Sequence, residues 1–194
     1  MKKMKSICIF CGSRPGNTPV FADAARHVGA TLARRGINLV YGGGHVGLMG
    51  ITADAVLENG GRVYGVIPEV LADKELAHPN LTELFVVKNM HERKMKMAEL
   101  ADGFIALPGG AGTMEEIFEQ WTWLQLRIHD KPGAFLDVDG FYQPLNQMIQ
   151  SMVARDFLSV EHAAMVNFSP SIEDLLEAFN RFKAPTPKWE NLAG

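Results

Sequence analysis

A glycine-rich segment, LPGGAGTMEE at residues 107–116, lies between an apolar run and an amphipathic one. Its glycines let backbone N–H groups approach an anion at the start of a helix, and Thr113 adds a hydroxyl group to that turn. The segment lacks the Lys-Ser/Thr pair that ends the P-loop of nucleoside triphosphatases. The sequence therefore predicts a cradle for a single phosphate group.

A carboxylate, Glu116, ends this segment, although a carboxylate repels a phosphate bound beside it. One interpretation is that Glu116 faces a developing positive charge, such as the ribosyl oxocarbenium ion of a breaking glycosidic bond. The other is a capping box, in which Thr113 caps the helix and Glu116 completes the pair, a stabilisation of about 1 kcal/mol. Both interpretations hold together if the phosphate binds to one side of the carboxylate.

A second glycine-rich turn, YGGGHVGLMG, occupies residues 41–50. Gly42, Gly44 and Gly47 match the GxGxxG fingerprint of dinucleotide-binding enzymes, but the turn follows the second predicted strand rather than the first. The next strand carries Arg62 where that fingerprint expects an acidic residue. The turn either contacts a ligand through Gly43 and Gly44 or only provides the positive φ angles that a tight turn needs.

A basic segment precedes the phosphate-binding segment along the chain. Asn89 and Glu92 form a plausible cap pair for a helix whose first turns carry Arg93 and Lys94. Cations near a helix N-terminus oppose the helix dipole, and an anionic ligand would offset that cost. His91 has no HxxxH partner, so the sequence predicts no metal site there.

The two cysteines, Cys8 and Cys11, form a CxxC motif inside the first predicted strand. Residues three apart in a strand point to opposite faces, so the two thiols should not meet. We therefore expect neither a redox pair nor a metal site at this motif.

Apolar strands alternate with glycine-rich turns and amphipathic helices along the chain. Repeated β-α-β units with continuously apolar strands predict the α/β class, as a Rossmann-like doubly wound parallel sheet sandwiched by helices. One domain is expected over residues 1–183, with residues 184–194 as a loosely held tail. The predicted strands are 6–11, 37–41, 62–67, 84–87, 103–107 and 134–138, and the helices 19–35, 48–58, 89–100, 113–127, 142–155 and 172–182.

Composition excludes two classes of partner. The formal net charge is -3, and the N-terminal lysines, Lys2, Lys3 and Lys5, are typical of a solvated tail, so we expect no nucleic-acid binding. No apolar run approaches the roughly 20 residues that span a bilayer, so we expect no membrane insertion. The basic start, MKKMK, leads into an apolar run that is too short for an export signal, and a cytoplasmic location is the default expectation.

These segments together resemble the LONELY GUY (LOG) family of cytokinin riboside 5'-monophosphate phosphoribohydrolases, often labelled lysine decarboxylase-like. The resemblance runs from the CGSR of residues 11–14 to about Phe157 and includes the complete motif PGGxGTxxE at residues 108–116. It implies hydrolysis of the N-glycosidic bond of adenosine 5'-monophosphates, including N6-modified ones, to the free base and ribose 5-phosphate. It also implies a small-molecule nucleotide substrate, no cofactor, no metal, and a homodimer.

The resemblance also implies roles for individual residues. Arg93 and Glu116 correspond to the catalytic pair, with Arg93 positioning the phosphate or sugar and holding Glu116 ionised. Residues at substrate-binding positions are Glu75, Lys94, Gly109, Gly110, Ala111, Gly112, Thr113, Met114, Glu115 and Thr122, beside Gly43 and Gly44 of the first turn.

Two alternatives to a hydrolase remain open at the level of sequence, and a third, suggested by the family label, does not. A lysine decarboxylase would need a Schiff-base lysine for pyridoxal phosphate, and no lysine here has that setting. A non-catalytic nucleotide or molybdenum-cofactor carrier and an NAD(P)-binding oxidoreductase are the two alternatives to a hydrolase. The apolar stretch from Trp121 to Leu126 suits either a dimer interface or the core.

Overall fold

The structure is a computed structural model that describes residues 4–72 and 76–184. Within these residues seven parallel strands form one sheet in the order β4-β3-β2-β1-β5-β6-β7. The strands are β1 (Ser6–Phe10), β2 (Asn38–Tyr41), β3 (Val63–Pro68), β4 (Glu83–Val87), β5 (Gly103–Ala106), β6 (Gly133–Leu136) and β7 (Val166–Ser169). The Rossmann-like doubly wound sheet predicted from the sequence is confirmed.

The helices cover both faces of this sheet. They are α1 (Pro19–Arg34), α2 (Gly47–Glu58), α3 (Glu69–Ala72), α4 (Met90–Leu100), α5 (Ala111–Gln125), α6 (Gln143–Ala154), α7 (Val160–Ala163) and α8 (Ile172–Arg181). Helices α1, α2 and α8 bury their apolar residues against one face, and α4, α5 and α6 do so against the other. In the described part of the chain, no helix is both long and apolar enough to cross a bilayer.

The two cysteines lie in separate halves of the core, as the strand periodicity predicts. Cys8 packs on the face covered by α4 and α5, whereas Cys11 packs on the face covered by α1 and α2. Both thiols are free and buried. Burial raises the pKa of each thiol well above its usual range, so both are neutral packing groups at pH 7.

The predicted elements are present with ends that agree within two residues, but one shift changes an interpretation. Helix α5 begins at Ala111 rather than Thr113, its N-cap position is Gly110, and no side chain caps it. Thr113 therefore lies inside the first turn, and the predicted capping box of Thr113 with Glu116 is wrong. Thr113 instead packs against Gly109, where a Cβ would lie 2.1 Å from the Thr113 hydroxyl.

Strand β7 and helices α3 and α7 were not predicted from the sequence. The four residues of β7, VNFS, alternate apolar and polar side chains and so do not form the continuous apolar run by which the other strands were predicted. The proposed boundary at residue 183 stays a prediction, since residues 185–194 lie outside the described part of the chain.

The order of the strands decides where a ligand can bind. Strands β1 and β5 are neighbours at the centre of the sheet, and the strand order changes direction between them. Segments that follow such strands diverge to opposite faces and leave a crevice at their carboxyl ends. The loops after β1, β2 and β5 therefore meet at one end of the sheet.

Candidate active site

A cavity of about 400 Å³ opens at this end of the sheet, beside the start of α5. Its polar side is formed by Arg93 of α4, Glu116 of α5 and the first turn of α5. Its apolar side is formed by five residues, one at the end of β3 and four in the loops and helices that follow β2 and β3, namely Ile67, Val46, Met49, Leu71 and Leu76. A polar anchor faces an apolar wall across a space of small-molecule size, which is typical of a ligand site.

Backbone carbonyl groups hold Arg93 at this cavity. Its Nε donates to the carbonyl oxygen of Val66 at 3.0 Å, and its Nη2 donates to that of Gly42 at 2.9 Å. These two carbonyl groups lie side by side at the carboxyl ends of the neighbouring strands β3 and β2. The sheet itself thus fixes the guanidinium group, whose side chain is only 10% exposed.

Gly42 is a site residue that the sequence analysis did not single out for this role. A Cβ at Gly42 would lie 1.9 Å from Nη2 of Arg93, so only glycine leaves room for the guanidinium group. The sequence signal available for this role was the position of Gly42 directly after a buried strand. The sequence pattern does not show that an arginine from another helix fills the space.

Glu116 lies beside Arg93 without a hydrogen bond between the two side chains. Oε1 of Glu116 is 3.9 Å from Nη1 of Arg93, and the Glu116 side chain is 13% exposed. Burial is the largest influence and raises the pKa of Glu116, while the positive charge of Arg93 opposes that rise. Arg93 therefore favours the ionised carboxylate as predicted, but the pKa still lies above the ordinary glutamate value. A carboxyl group of this kind suits proton transfer or stabilisation of positive charge.

The first turn of α5 supplies unpaired backbone donors to the same cavity. The N–H groups of residues 111–113 have no intrahelical acceptor because they precede the first helical hydrogen bond, from Met114 N–H to the carbonyl of Gly110. Ala111, Gly112 and Thr113 all line the cavity. A helix N-terminus with free N–H groups binds phosphate, and Glu116 follows one turn later, about 5 Å along the axis.

Backbone hydrogen bonds connect the loops that follow β1, β2 and β5 to one another. Gly12 N–H donates to the carbonyl of Pro108 at 3.0 Å, and the Gly12 carbonyl accepts from Leu48 N–H at 3.0 Å. Cys11, Gly12 and Ser13 line the cavity, although the sequence analysis used this segment only as the beginning of the resemblance.

Lys94 and Glu115, both predicted substrate contacts, are paired with each other in the structure. The Lys94 side chain is 8% exposed, and its ammonium group donates to Glu115 and, at 3.0 Å, to Oε1 of Glu119. Neither Lys94 nor Glu115 lines the cavity. Their pairing instead connects α4 to α5 next to the Arg93 and Glu116 pair.

The remaining predicted residues of the phosphate-binding segment and its helix also lie outside this cavity. Gly109 lines a neighbouring cavity of about 350 Å³, on the side of Phe21 and Phe141. Met114 packs into the core beneath α5. Thr122 is exposed, and its hydroxyl donates to the carbonyl of Phe118 within the helix.

Gly43 and Gly44 support the cavity wall from behind. The Gly43 carbonyl accepts from His78 N–H at 2.8 Å, and Gly44 pairs with Ala77 in an isolated β-bridge. Both contacts hold the segment that carries Leu76. Glu75 lies outside the described residues.

The GxGxxG pattern in this turn has an explanation without a dinucleotide. Gly42 makes room for Arg93, and a Cβ on Gly47 would lie 2.3 Å from the backbone of Ser13. A Cβ on Gly44 would touch the end of the Met49 side chain at 3.2 Å. Packing within the chain thus accounts for Gly42 and Gly47, whereas the contact at Gly44 is with the end of a flexible side chain, and the two required glycines weaken the oxidoreductase alternative.

A Rossmann-like sheet, a helix N-terminus that opens into a cavity and a buried Arg–Glu pair are together typical of a nucleotide-binding enzyme. A family model described as possible lysine decarboxylase matches residues 49–179. The chain is 46% identical to probable cytokinin riboside 5'-monophosphate phosphoribohydrolase LOGL1 of Oryza sativa subsp. japonica, covering 95% of this chain and 85% of that protein. It is 43% identical to cytokinin riboside 5'-monophosphate phosphoribohydrolase LOG1 of Arabidopsis thaliana, covering 98% and 88%. The chain belongs to this LOG family of phosphoribohydrolases, as its motifs predict.

Solved structures with the same fold include carriers of a cofactor. The molybdenum cofactor carrier protein of Chlamydomonas reinhardtii superposes with a TM-score of 0.69 at 17% identity, covering 91% of this chain and 96% of that one. The molybdenum cofactor binding protein of Rippkaea orientalis gives 0.69 at 20% identity, covering 93% and 98%. At such identities the likeness shows the fold alone.

Proposed function

We propose that this protein hydrolyses the N-glycosidic bond of adenosine 5'-monophosphates, including N6-modified ones, to the free base and ribose 5-phosphate. The observation that carries the proposal is the buried pair of Arg93 and Glu116, one helical turn from the free N–H groups of α5. The relatives named as cytokinin riboside 5'-monophosphate phosphoribohydrolases support the same reaction. A carrier needs no such pair, and this favours an enzyme.

The cavity suggests how the substrate is oriented. The 5'-phosphate binds the first turn of α5, since that turn supplies three N–H donors and the helix dipole. The ribose then lies against Glu116, one turn further along the helix. The base points to the apolar wall of Val46, Met49 and Leu71, which suits a planar ring and an apolar N6 substituent.

The reaction needs stabilisation of positive charge on the sugar. As the bond between C1' and N9 breaks, its electron pair leaves with the base, and C1' and the ring oxygen become electron-poor. Glu116 stabilises this charge or orients the attacking water, whose oxygen bonds to C1'. The proton that the water loses balances the one that the departing base takes up. Arg93 holds the phosphate or sugar and favours the ionised form of Glu116.

Hydrolysis of AMP with a clear preference over adenosine is the first expected result. The phosphate contributes charged hydrogen bonds worth about 1.5–3 kcal/mol each, so removing it should lower kcat/KM by at least about tenfold. The measurement is release of free base from AMP, isopentenyladenosine monophosphate and adenosine under the same conditions.

Two outcomes of the same assay would contradict the proposal. Equal rates with adenosine and AMP would refute the phosphate cradle at α5. Release of no base from either nucleotide, with binding retained, would favour the carrier alternative instead.

We also propose that the protein acts as a homodimer in the cytoplasm. The structure buries Trp121 and Leu124 in the core, whereas Leu126 is 37% exposed, so only part of the apolar stretch 121–126 remains available to an interface. Met90 and Met95 on α4 are exposed and offer another apolar surface. Thr122 lies six residues beyond Glu116, about 9 Å further along α5 and on another side of the helix. The resemblance places Thr122 at a substrate-binding position, and from this place it could reach only a substrate bound by a second copy of the chain.

A mass close to twice the 21.4 kDa of one chain is therefore expected from light scattering. The measurement belongs at the protein concentration used for the assay, because dimerisation depends on concentration. The mass of a single chain in a sample that hydrolyses AMP would refute the dimer.

A further inference from the structure

Two sets of charged side chains connect α4 and α5 side by side, and they differ in their hydrogen bonding. Arg93 and Glu116 face the cavity at 3.9 Å and are not hydrogen-bonded to each other. One residue further along α4, Lys94 is hydrogen-bonded to both Glu115 and Glu119. The first pair can still bind a ligand, whereas the ammonium group of Lys94 already has hydrogen-bond partners within the protein.

Lys94 of α4 contacts α5 at two points one turn apart. Glu115 and Glu119 are four residues apart, so they lie on the same face of the helix and hold a single ammonium group between them. Two contacts restrict both the separation of the helices and the sliding of one along the other. Glu116 lies between these two residues in sequence, and its position relative to Arg93 depends on that restriction.

Burial makes this network stronger than a surface ion pair. The Lys94 side chain is 8% exposed and that of Glu119 is 25% exposed, in contrast to 54% for Glu115. Oε2 of Glu119 is buried and has no hydrogen-bond partner among the described residues. A buried carboxylate with an unsatisfied oxygen costs free energy, so packing alone does not explain a glutamate at this position.

We infer that Glu119 is a positioning residue, which acts through Lys94 to hold Glu116 at its working distance from Arg93. The inference rests on the proposed hydrolase function. Nothing in the sequence motif covers Glu119, because PGGxGTxxE ends at Glu116. Arg93 is held separately by the sheet, so the tie through Lys94 governs Glu116 rather than Arg93.

The charges around Glu116 give this inference a measurable signature. Arg93 and Lys94 on α4 lower the pKa of Glu116, whereas Glu115 and Glu119 on α5 raise it. The thiols of Cys8 and Cys11 on the strand side are neutral. Replacing Glu119 by either Ala or Gln removes the same negative charge, but only Gln keeps an oxygen that can accept from Lys94.

The test compares Glu119→Ala with Glu119→Gln. We expect Glu119→Ala to lower kcat with AMP about tenfold and to change KM less than threefold, since the phosphate turn of α5 is untouched. Glu119→Gln should keep kcat within threefold of the unmodified protein. The matched control is Glu99→Ala, which removes a glutamate from an exposed pair with Lys96 on the outside of α4.

A 13C NMR titration of the Glu116 carboxyl group provides a readout without turnover. Both variants should lower its midpoint, and the midpoint of Glu119→Ala should lie above that of Glu119→Gln, because Glu116 then moves away from Arg93. Equal midpoints, or unchanged kcat in an active protein, would overturn the inference and leave the hydrolase function standing. If the unmodified protein releases no base from AMP, the proposed function fails and the two midpoints alone decide the role of Glu119.

Discussion

Replacing Glu116 by Gln is expected to lower kcat for AMP at least about 100-fold, which corresponds to about 2.7 kcal/mol in the barrier. The substitution keeps the size of the side chain and removes only its charge. Helix α5 has no side-chain cap, so the variant loses no capping interaction and should fold normally. AMP should still bind, because the N–H groups of the first turn are unchanged. The measurements are kcat and KM for AMP, a direct binding titration and the melting temperature.

The pH dependence of kcat/KM provides a second signature of Glu116. Because burial raises its pKa above the ordinary value of 4.5, the carboxylate is lost at a higher pH than for an exposed glutamate. If the ionised form is the active one, activity should fall as pH decreases through that raised pKa. The Gln variant should lack this acid limb.

Glu115→Gln is the control for the removal of one carboxylate at this end of α5. Glu115 is half-exposed, lies outside the cavity and leaves Lys94 bonded to Glu119, so it should lose much less activity. Near-normal kcat in Glu116→Gln would require the proposed mechanism to be abandoned.

Gly42→Ala is expected to lower kcat/KM for AMP about 100-fold, although it adds a single methyl group and changes no charge. The new Cβ would lie 1.9 Å from Nη2 of Arg93, and the guanidinium group must leave its place against the Gly42 and Val66 carbonyls. Gly42 has no positive φ angle, so the backbone accommodates alanine without strain. The loss of activity thus measures the position of Arg93 and not the integrity of the turn.

A double-mutant cycle with Arg93→Ala makes this prediction specific. Arg93→Ala alone should be nearly inactive, and adding Gly42→Ala to it should cost nothing further, because the space beside Gly42 is then empty. Gly133→Ala in β6 is the matched control, since its new Cβ makes only ordinary contacts at 3.6 Å or more. Additive losses from Gly42→Ala and Arg93→Ala would show that Gly42 acts independently of the arginine.

Periodicity and glycine spacing were sufficient for the fold and for the place of the site. Strand runs are continuous and apolar because both faces of the sheet are covered, so β1 to β6 could be predicted from sequence. The phosphate turn at α5 and the pairing of Arg93 with Glu116 followed from the motif and the resemblance, and the structure brings those residues together. Strand β7 was missed because its residues VNFS alternate apolar and polar side chains, whereas β4, at the other edge, keeps the apolar run LFVV.

Other details depend on contacts between segments distant in sequence. That Gly42 makes room for an arginine 51 residues later is not visible in a local pattern. The capping box was predicted from the spacing of Thr113 and Glu116, but the helix begins at Ala111 with Gly110 as its N-cap residue, and Thr113 instead packs against Gly109. Lys94 was expected to contact substrate because the resemblance places it at a substrate-binding position, while in the structure its ammonium group donates to carboxylates on α5.

The attachment of Arg93 to peptide carbonyls has a consequence for how this site can change over evolutionary time. An arginine oriented by acidic side chains loses its orientation when either acid mutates or becomes protonated. Here the two oxygen acceptors belong to the main chain, which every residue possesses, and neither has a proton to gain across the physiological pH range. Neighbouring side chains are thus free to diversify and alter which base is accepted, while the guanidinium group keeps its place as long as the sheet persists and residue 42 remains glycine.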